Sequence, residues 1–283
     1  MNYNVGKEVA VSPPTQVGGP SNAFNVAQPI IQQPGGIISP YGGVPKFNGL
    51  EAIDAYFKSV ESLRVQQKLD TFEIMLELCV PFFEFSNEYS VENQGGMRLF
   101  KANENNNCLT LCCCCAEVRP FDFEMKDLYG NVVLRMDRPL RCDRVEGCCC
   151  CIDCLCASCW QELSVKSGDG QVIGKVTQEW SFFKPNLCIR SGTDAPILYI
   201  DGPLYPAICC CTGAFTIRDL EGKYVGRIVK EWAGCCKETC TKVDNFNINF
   251  PQNLDHKVKA TCLGALFLMD YLYYGHPGYY LCL

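Results

Sequence analysis

Histidine is almost missing from this chain: His256 and His276 are the only two in 283 residues. Both lie in the C-terminal third, and no G-x-S-x-G elbow, phosphate-binding glycine loop or spaced Cys/His pair accompanies them. Covalent catalysis by a nucleophile and its base is therefore not expected. Positive charge is also short, with 25 Lys and Arg against 31 Asp and Glu for a net charge of -6. That balance argues against the nucleic-acid backbone as a main partner, because such domains carry excess cations that displace counterions. The N-terminus, MNYNVGKEVAVSPPTQVGGP, lacks a basic stretch followed by an apolar run, so no secretory signal is read, and Asn2 in place of glycine excludes N-myristoylation.

Cysteine, by contrast, is abundant. The chain has 23, an odd number, and seven fall in RVEGCCCCIDCLCASCW: Cys148, Cys149, Cys150, Cys151, Cys154, Cys156 and Cys159. In a chain that starts in the cytosol these thiols stay reduced, which excludes a disulfide scaffold. Cys151 and Cys154, and Cys156 and Cys159, have the local spacing of zinc ligands, but one residue separates the two pairs where a zinc ribbon has roughly 12 to 20. A mononuclear site would need a distant second pair. Palmitoylation imposes no geometric spacing and requires only accessible thiols beside a membrane, so consecutive cysteines are redundant acceptors. Two or more acyl chains, at ~0.8 kcal/mol per buried methylene, turn a marginal anchor into a stable one. Further clusters stand at Cys112 to Cys115, Cys209 to Cys211 and Cys235 with Cys236; they fall at the ends of the expected hairpins and are open to acylation or metal pairing.

Residues 1–45 are rich in Pro, Gly, Gln and Asn without apolar periodicity, which predicts a disordered tail. Its prolines suit a flexible tether or an extended ligand for SH3- or WW-type domains. Residues 46–283 form the folded part. Leu50, Ile53, Tyr56, Phe57, Val60 and Leu63 repeat at helical spacing and predict an amphipathic helix from about Leu50 to Lys68. Five segments then alternate apolar residues around a Gly, Asp or Asn turn: YSVENQGGMRLF, FEMKDLYGNVVLRM, LSVKSGDGQVIGKV, LCIRSGTDAPILYI and FTIRDLEGKYVGRI. These read as β-hairpins. VIGKVTQEW matches YVGRIVKEW almost position for position, so the strand region is internally duplicated. Ten or more strands at this spacing suggest a barrel or a sandwich, and closure leaves no sheet edges.

One segment breaks the pattern. KVKATCLGALFLMDYLYY, residues 257–274, is apolar all round apart from Lys257, Lys259 and Asp270. From Val258 to Leu272 a helix is roughly 22 Å long against ~30 Å of hydrocarbon, short for a span. A helix apolar on every side also suits the inside of a barrel, with Val258, Leu263, Leu266 and Phe267 as core and Asp270 paired with Lys or Arg or facing out at the helix end.

RPFDFEMKDLYGNVVLRMDRPLRC, the cysteine run after it, IGKVTQEW, VGRIVKEW and VDNFNINFPQNLDHKVKATCLGALFLMDYLYYG together resemble the phospholipid scramblase family, in order, from about Gly49 to Gly275. The resemblance implies a tubby-like fold, a closed barrel of about twelve strands around a hydrophobic C-terminal helix. It implies ATP-independent, Ca2+-stimulated movement of phospholipids between leaflets, with palmitoylation of the run after Arg138 to Cys142 at the cytoplasmic face of the plasma membrane. The implied partners are phospholipids and the membrane; the implied attachment is peripheral or single-pass. The family's calcium segment maps onto Lys242, Asp244, Phe246, Ile248, Phe250 and Asn253. Here Lys242 and Asn253 replace acidic positions and Asn247 stands where an EF-hand loop needs glycine, leaving Asp244 and the nearby Asp255 as carboxylates. That set predicts weak Ca2+ binding, and Phe246, Ile248 and Phe250 alternate as inward residues of a strand do. The other reading of the whole chain is a palmitoyl-anchored binding or signalling module without scrambling activity.

Overall fold

Alternating apolar and polar residues give each strand one face for a core and one for solvent, and in this chain the apolar faces close on a single helix. The computed structural model describes residues 47, 49–68, 86–105, 120–140, 160–181, 184–203, 213–231 and 245–274. They form α1 (Leu50–Phe57), then β1 (Ser62–Lys68), β2 (Glu88–Asn93), β3 (Arg98–Glu104), β4 (Phe121–Asp127), β5 (Val132–Arg138) and β6 (Glu162–Ser167). β7 (Val172–Glu179), β8 (Asn186–Ser191), β9 (Pro196–Asp201), β10 (Ala214–Asp219), β11 (Tyr224–Glu231), β12 (Asn245–Asn249) and α2 (His256–Tyr273) follow. Every strand pairs antiparallel with its sequence neighbours, and β1 closes on β12 to complete a twelve-stranded barrel. The tail at residues 1–45 lies outside the described residues.

The five expected hairpins are β2–β3, β4–β5, β6–β7, β8–β9 and β10–β11. They share one turn. The fourth residue returns its N–H to the carbonyl of the first, as Gly130 does to Asp127 at 3.1 Å and Gly222 to Asp219 at 3.0 Å. That fourth residue has positive φ in each: Gly96, Gly130, Gly170, Asp194 and Gly222. The first side chain completes the turn; Asp219 Oδ1 accepts from the backbone N–H of Glu221 and Lys223 at 3.0 and 2.8 Å. This is the three-residue hairpin loop with a left-handed fourth position.

One expectation is corrected. The helix predicted from Leu50 to Lys68 ends at Phe57, and the rest is β1. Val60 and Leu63 fit a helical repeat, but Leu63 and Val65 are fully buried two residues apart and Gln67 follows on the same face, the period of a strand. β1 is also the only strand that joins β12 to β2, and barrel closure outweighs local helical spacing.

α2 fills the barrel. Every residue from Val258 to Tyr271 is buried, and Phe267 stacks on Phe123 and meets Tyr89 edge-on, with centroids 5.3 and 4.9 Å apart. Packing is close at Gly264, where a Cβ would lie 2.6 Å from Val165 Cγ2. The polar exceptions are held at the two ends. Lys259, fully buried, donates to the carbonyls of Val60, Gln252 and Phe57 at 2.8, 3.0 and 3.4 Å, fixing α2 to the end of α1. Burial lowers its pKa, and the negative charge of Glu61 opposes the shift. Asp270 accepts from the Tyr89 hydroxyl at 2.5 Å; the Tyr89 hydroxyl is pushed well above its ordinary pKa by burial and by Asp270.

Two substitutions separate backbone from contact effects in the turns. A Cβ at Gly222 meets nothing within 4 Å, so G222A should cost about 1 kcal/mol through the left-handed conformation alone, whereas D194G should not destabilise; urea midpoints measure both, and equal losses would contradict this turn assignment. At the far end of α2, Y89F strips a buried carboxylate of a donor and should cost about 1–3 kcal/mol. D270N keeps an acceptor for Tyr89 and should cost less in the same titration.

Candidate functional site

The meander gives the barrel two unlike ends. Tight turns at residues 94–97, 128–131, 168–171, 192–195 and 220–223 form one rim. The connections β1–β2, β3–β4, β5–β6, β7–β8, β9–β10 and β11–β12 all begin and end at the other. Of the 23 cysteines, all but Cys188, Cys262 and Cys282 belong to these connections. α2 starts at the tight-turn rim, beside the start of β1, and runs toward the connection rim, where Tyr274 packs on Phe246 and lies under Lys230 Nζ at 4.1 Å from the ring centre. The two exceptions inside the barrel wall and core are shielded thiols, with burial pushing Cys188 to about 11 and Cys262 to about 12, which makes them poor nucleophiles at neutral pH.

The palmitoyl candidates Cys148, Cys149, Cys150, Cys151, Cys154, Cys156 and Cys159 lie outside the described residues, as do the other cysteine clusters. Their segment is bounded by described positions at the connection rim: Leu140, 62% exposed, at one end and Trp160 at the other. Trp180, in the neighbouring β7–β8 connection, is 41% exposed. Exposed apolar side chains also occur on the tight-turn rim, at Leu128, Tyr129, Leu220 and Tyr224, so apolar exposure alone does not distinguish the ends. The cysteine distribution does.

Beneath the connection rim the barrel interior becomes polar. Asn87 Nδ2 donates to the Tyr271 hydroxyl at 2.6 Å, Gln67 Nε2 donates to Asn87 Oδ1 at 2.8 Å, and the Asn87 backbone N–H donates to Glu104 Oε2 at 2.8 Å. With Tyr89 and Asp270 these groups make the polar layer across β1, β2, β3 and α2; Asp270, expected to pair with Lys or Arg or to face out at the helix end, is buried and accepts from the Tyr89 hydroxyl, because α2 is enclosed to its last turn by the barrel wall. The helix residues singled out from sequence, Val258, Leu263, Leu266 and Phe267, are all buried in the core. Among the described residues no helix is long and apolar enough to cross a membrane.

In the candidate calcium segment, Lys242 and Asp244 lie outside the described residues. The described part has other work. Phe246 and Ile248 point into the barrel from β12, whose backbone pairs with both β1 and β11, and Phe250 is buried just beyond. Asp255 caps α2, its Oδ1 accepting from the N–H groups of Lys257 and Val258 at 2.8 and 3.2 Å, a role worth about 1 kcal/mol. These side chains do not offer the six to eight oxygen ligands of a calcium site, and among the described residues no cluster of three His, Cys, Asp or Glu is placed to hold a metal.

Sequence reasoning missed Arg138 and the role of Lys259. Arg138 is 2% exposed, its Nε and Nη2 both donating to Gln161 Oε1 at 3.0 and 2.8 Å, with the guanidinium 5.6 Å from the Phe121 ring centre. The available signal was its register: Arg138 continues the inward series Leu134, Met136 of β5, and a charged residue there must find buried partners.

A family model described as Scramblase matches residues 43–276. Phospholipid scramblase 1 of Mus musculus is 34% identical over 272 residues, covering 92% of this chain and 76% of its own length. Phospholipid scramblase 2 of Bos taurus is 36% identical over 220 residues, 77% of this chain and 70% of its own. Phospholipid scramblase family member 5 of Homo sapiens is 30% identical over 222 residues, 78% and 76% respectively. No solved structure matches. A match over most of the barrel, at this identity and in one continuous order, places the chain in the scramblase family.

Proposed function

We propose that this protein is a phospholipid scramblase, moving phospholipids in both directions between membrane leaflets without ATP and without covalent catalysis. Family membership supplies the activity, and the observation that carries its placement is the gathering of the cysteine-bearing connections at one barrel rim. Acylation of Cys148 to Cys151, with Cys154, Cys156 and Cys159 as further acceptors, would draw that rim to the bilayer from the cytoplasmic face of the plasma membrane. Leu140 and Trp180 then sit at the interfacial depth that suits amphipathic and apolar side chains.

The filled interior shapes the mechanism. With α2 packed from end to end, the lumen offers no passage for a headgroup, so lipids cross along the outside of the barrel or through bilayer disturbed at its rim. Calcium enters this reading only as a weak ligand of residues around Asp244 and Asp255, and no step is assigned to it. Residues 1–45 serve as a tether that SH3- or WW-type domains can engage. The filled lumen also favours the second reading, an acyl-anchored binding module that does not scramble.

Purified protein in liposomes with labelled lipid should accelerate loss of leaflet asymmetry, with no stimulation by Ca2+ below about 1 mM; no acceleration at any Ca2+ concentration leaves the binding module. Replacing Cys148 to Cys151 by Ala should lower hydroxylamine-sensitive acylation and membrane partitioning together. Unchanged values in that variant would refute the anchor.

A further inference from the structure

β1 is the strand whose sequence disagrees with its fold. Leu63, Arg64, Gln66, Gln67 and Lys68 are good helix formers, and only Val65 is β-branched. The helical repeat of α1 continues through Val60 to Leu63, so Leu50 to Lys68 encodes one long helix as well as the helix and strand it forms. The partner across one seam is equally ill suited. β12 is the shortest strand of the barrel, and its outward residues, Asn245, Asn247 and Asn249, are of a type depleted in strands. β1 and β12 therefore close the barrel with little intrinsic strand preference on either side.

α1 is ended by bonds from outside it. In an uninterrupted helix the carbonyls of Phe57, Val60 and Glu61 accept from the N–H groups of Glu61, Arg64 and Val65, each four residues on. Here Lys259 Nζ donates to the carbonyls of Val60 and Phe57 at 2.8 and 3.4 Å, and the Phe250 N–H donates to that of Glu61 at 2.8 Å. Arg64 and Val65 are instead in register with both β12 and β2. Lys259 is fully buried, and its third partner, the Gln252 carbonyl at 3.0 Å, lies just before α2. The ammonium thus sits at the negative end of the α1 dipole and ties the α1–β1 junction to the chain entering α2.

β1 also covers the polar layer. Its Gln67 donates to Asn87 Oδ1 at 2.8 Å, and Asn87 in turn meets the Tyr271 hydroxyl and Glu104, beside the Tyr89 and Asp270 pair. With β1 withdrawn, the gap from β12 to β2 leads from outside the barrel to these groups.

We propose that β1 is a gate strand: in a minor state α1 extends through it toward Lys68, the barrel opens between β12 and β2, and Lys259 is the latch that holds the closed state. For β1 itself the exchange replaces bonds to neighbouring strands with bonds inside a longer helix. Loss of Leu63 and Val65 from the core keeps the open state in the minority. The open gap gives a phospholipid headgroup lateral access to the polar layer, at the end of the barrel placed against the bilayer. That use of the gate rests on the scramblase reading, whereas the exchange between helix and strand does not.

Relaxation dispersion on the wild-type full chain should report, at Leu63 to Gln67, an excited state with helical Cα shifts. In Lys259→Met, amide exchange in residues 62–68 and 245–249 should quicken at least about tenfold relative to residues 172–179 and 186–191. Adding Ser62→Pro should reverse this, since proline is tolerated as the first residue of a strand and breaks the interior of a helix. Ser62→Pro alone should lower scrambling in liposomes at least about tenfold. The gate is overturned by absence of a helical excited state, by equal quickening in all these segments, or by fast exchange that survives Ser62→Pro. Where Lys259→Met does not fold, the wild-type dispersion decides. Scrambling unchanged by Ser62→Pro overturns the headgroup route. A wild-type chain that does not scramble contradicts the scramblase reading alone, because dispersion and exchange are read without vesicles.

Discussion

A helix apolar on every side has to be taken out of water, and the rest of this fold follows from how that is done. α2 has no polar stripe to present to solvent from Val258 to Tyr271, and a single sheet or a packed helix would cover only part of its circumference. A closed sheet covers all of it. Twelve strands supply the circumference, their inward residues supply the packing, and closure of β1 on β12 removes the edges that would otherwise invite association. The two buried charged residues of α2 are tolerated because each has a partner outside the helix: carbonyls of Phe57, Val60 and Gln252 for Lys259, and the Tyr89 hydroxyl for Asp270.

An up-and-down meander with short turns at one end necessarily collects its longer connections at the other. Evolution of the connections is then free of the core, since no strand alternation has to be kept there. In this chain those connections are where most of the cysteines are, so a property spread over five sequence segments belongs to connections that all leave and re-enter the barrel at one rim. The same rim stands over the polar layer of Asn87, Glu104, Tyr89 and Asp270. Chemistry is concentrated at this end, while the tight-turn end is held by repeated backbone turns.

Much of this was legible in the sequence because it is periodic. All five hairpins could be located from alternation plus a turn residue, and β12 from Phe246, Ile248 and Phe250. The lone apolar segment at 257–274 is α2, within one residue at each end. What was illegible depends on partners remote in sequence. β1 was misread because Leu63 falls both on the helical repeat that runs through Val60 and on the alternation of Leu63, Val65 and Gln67, and only the pairing of β1 with β12, some 180 residues later, decides between them. The acid–tyrosine contact of Asp270 and the burial of Arg138 against Gln161 depend on how remote elements meet, which spacing along the chain does not encode. The capping contacts of Asp255 were not foreseen, because a carboxylate before a helix reads equally as a cap or as a cation ligand.

The orientation of the barrel is the point on which the function turns. A fluorescent non-natural residue placed at Trp180 or at Leu220 reports the two rims separately when the acylated protein is bound to vesicles containing brominated lipids. This arrangement predicts strong quenching at position 180 and none at position 220; equal quenching at both, or quenching of a probe at Phe267 in the barrel core, would contradict it.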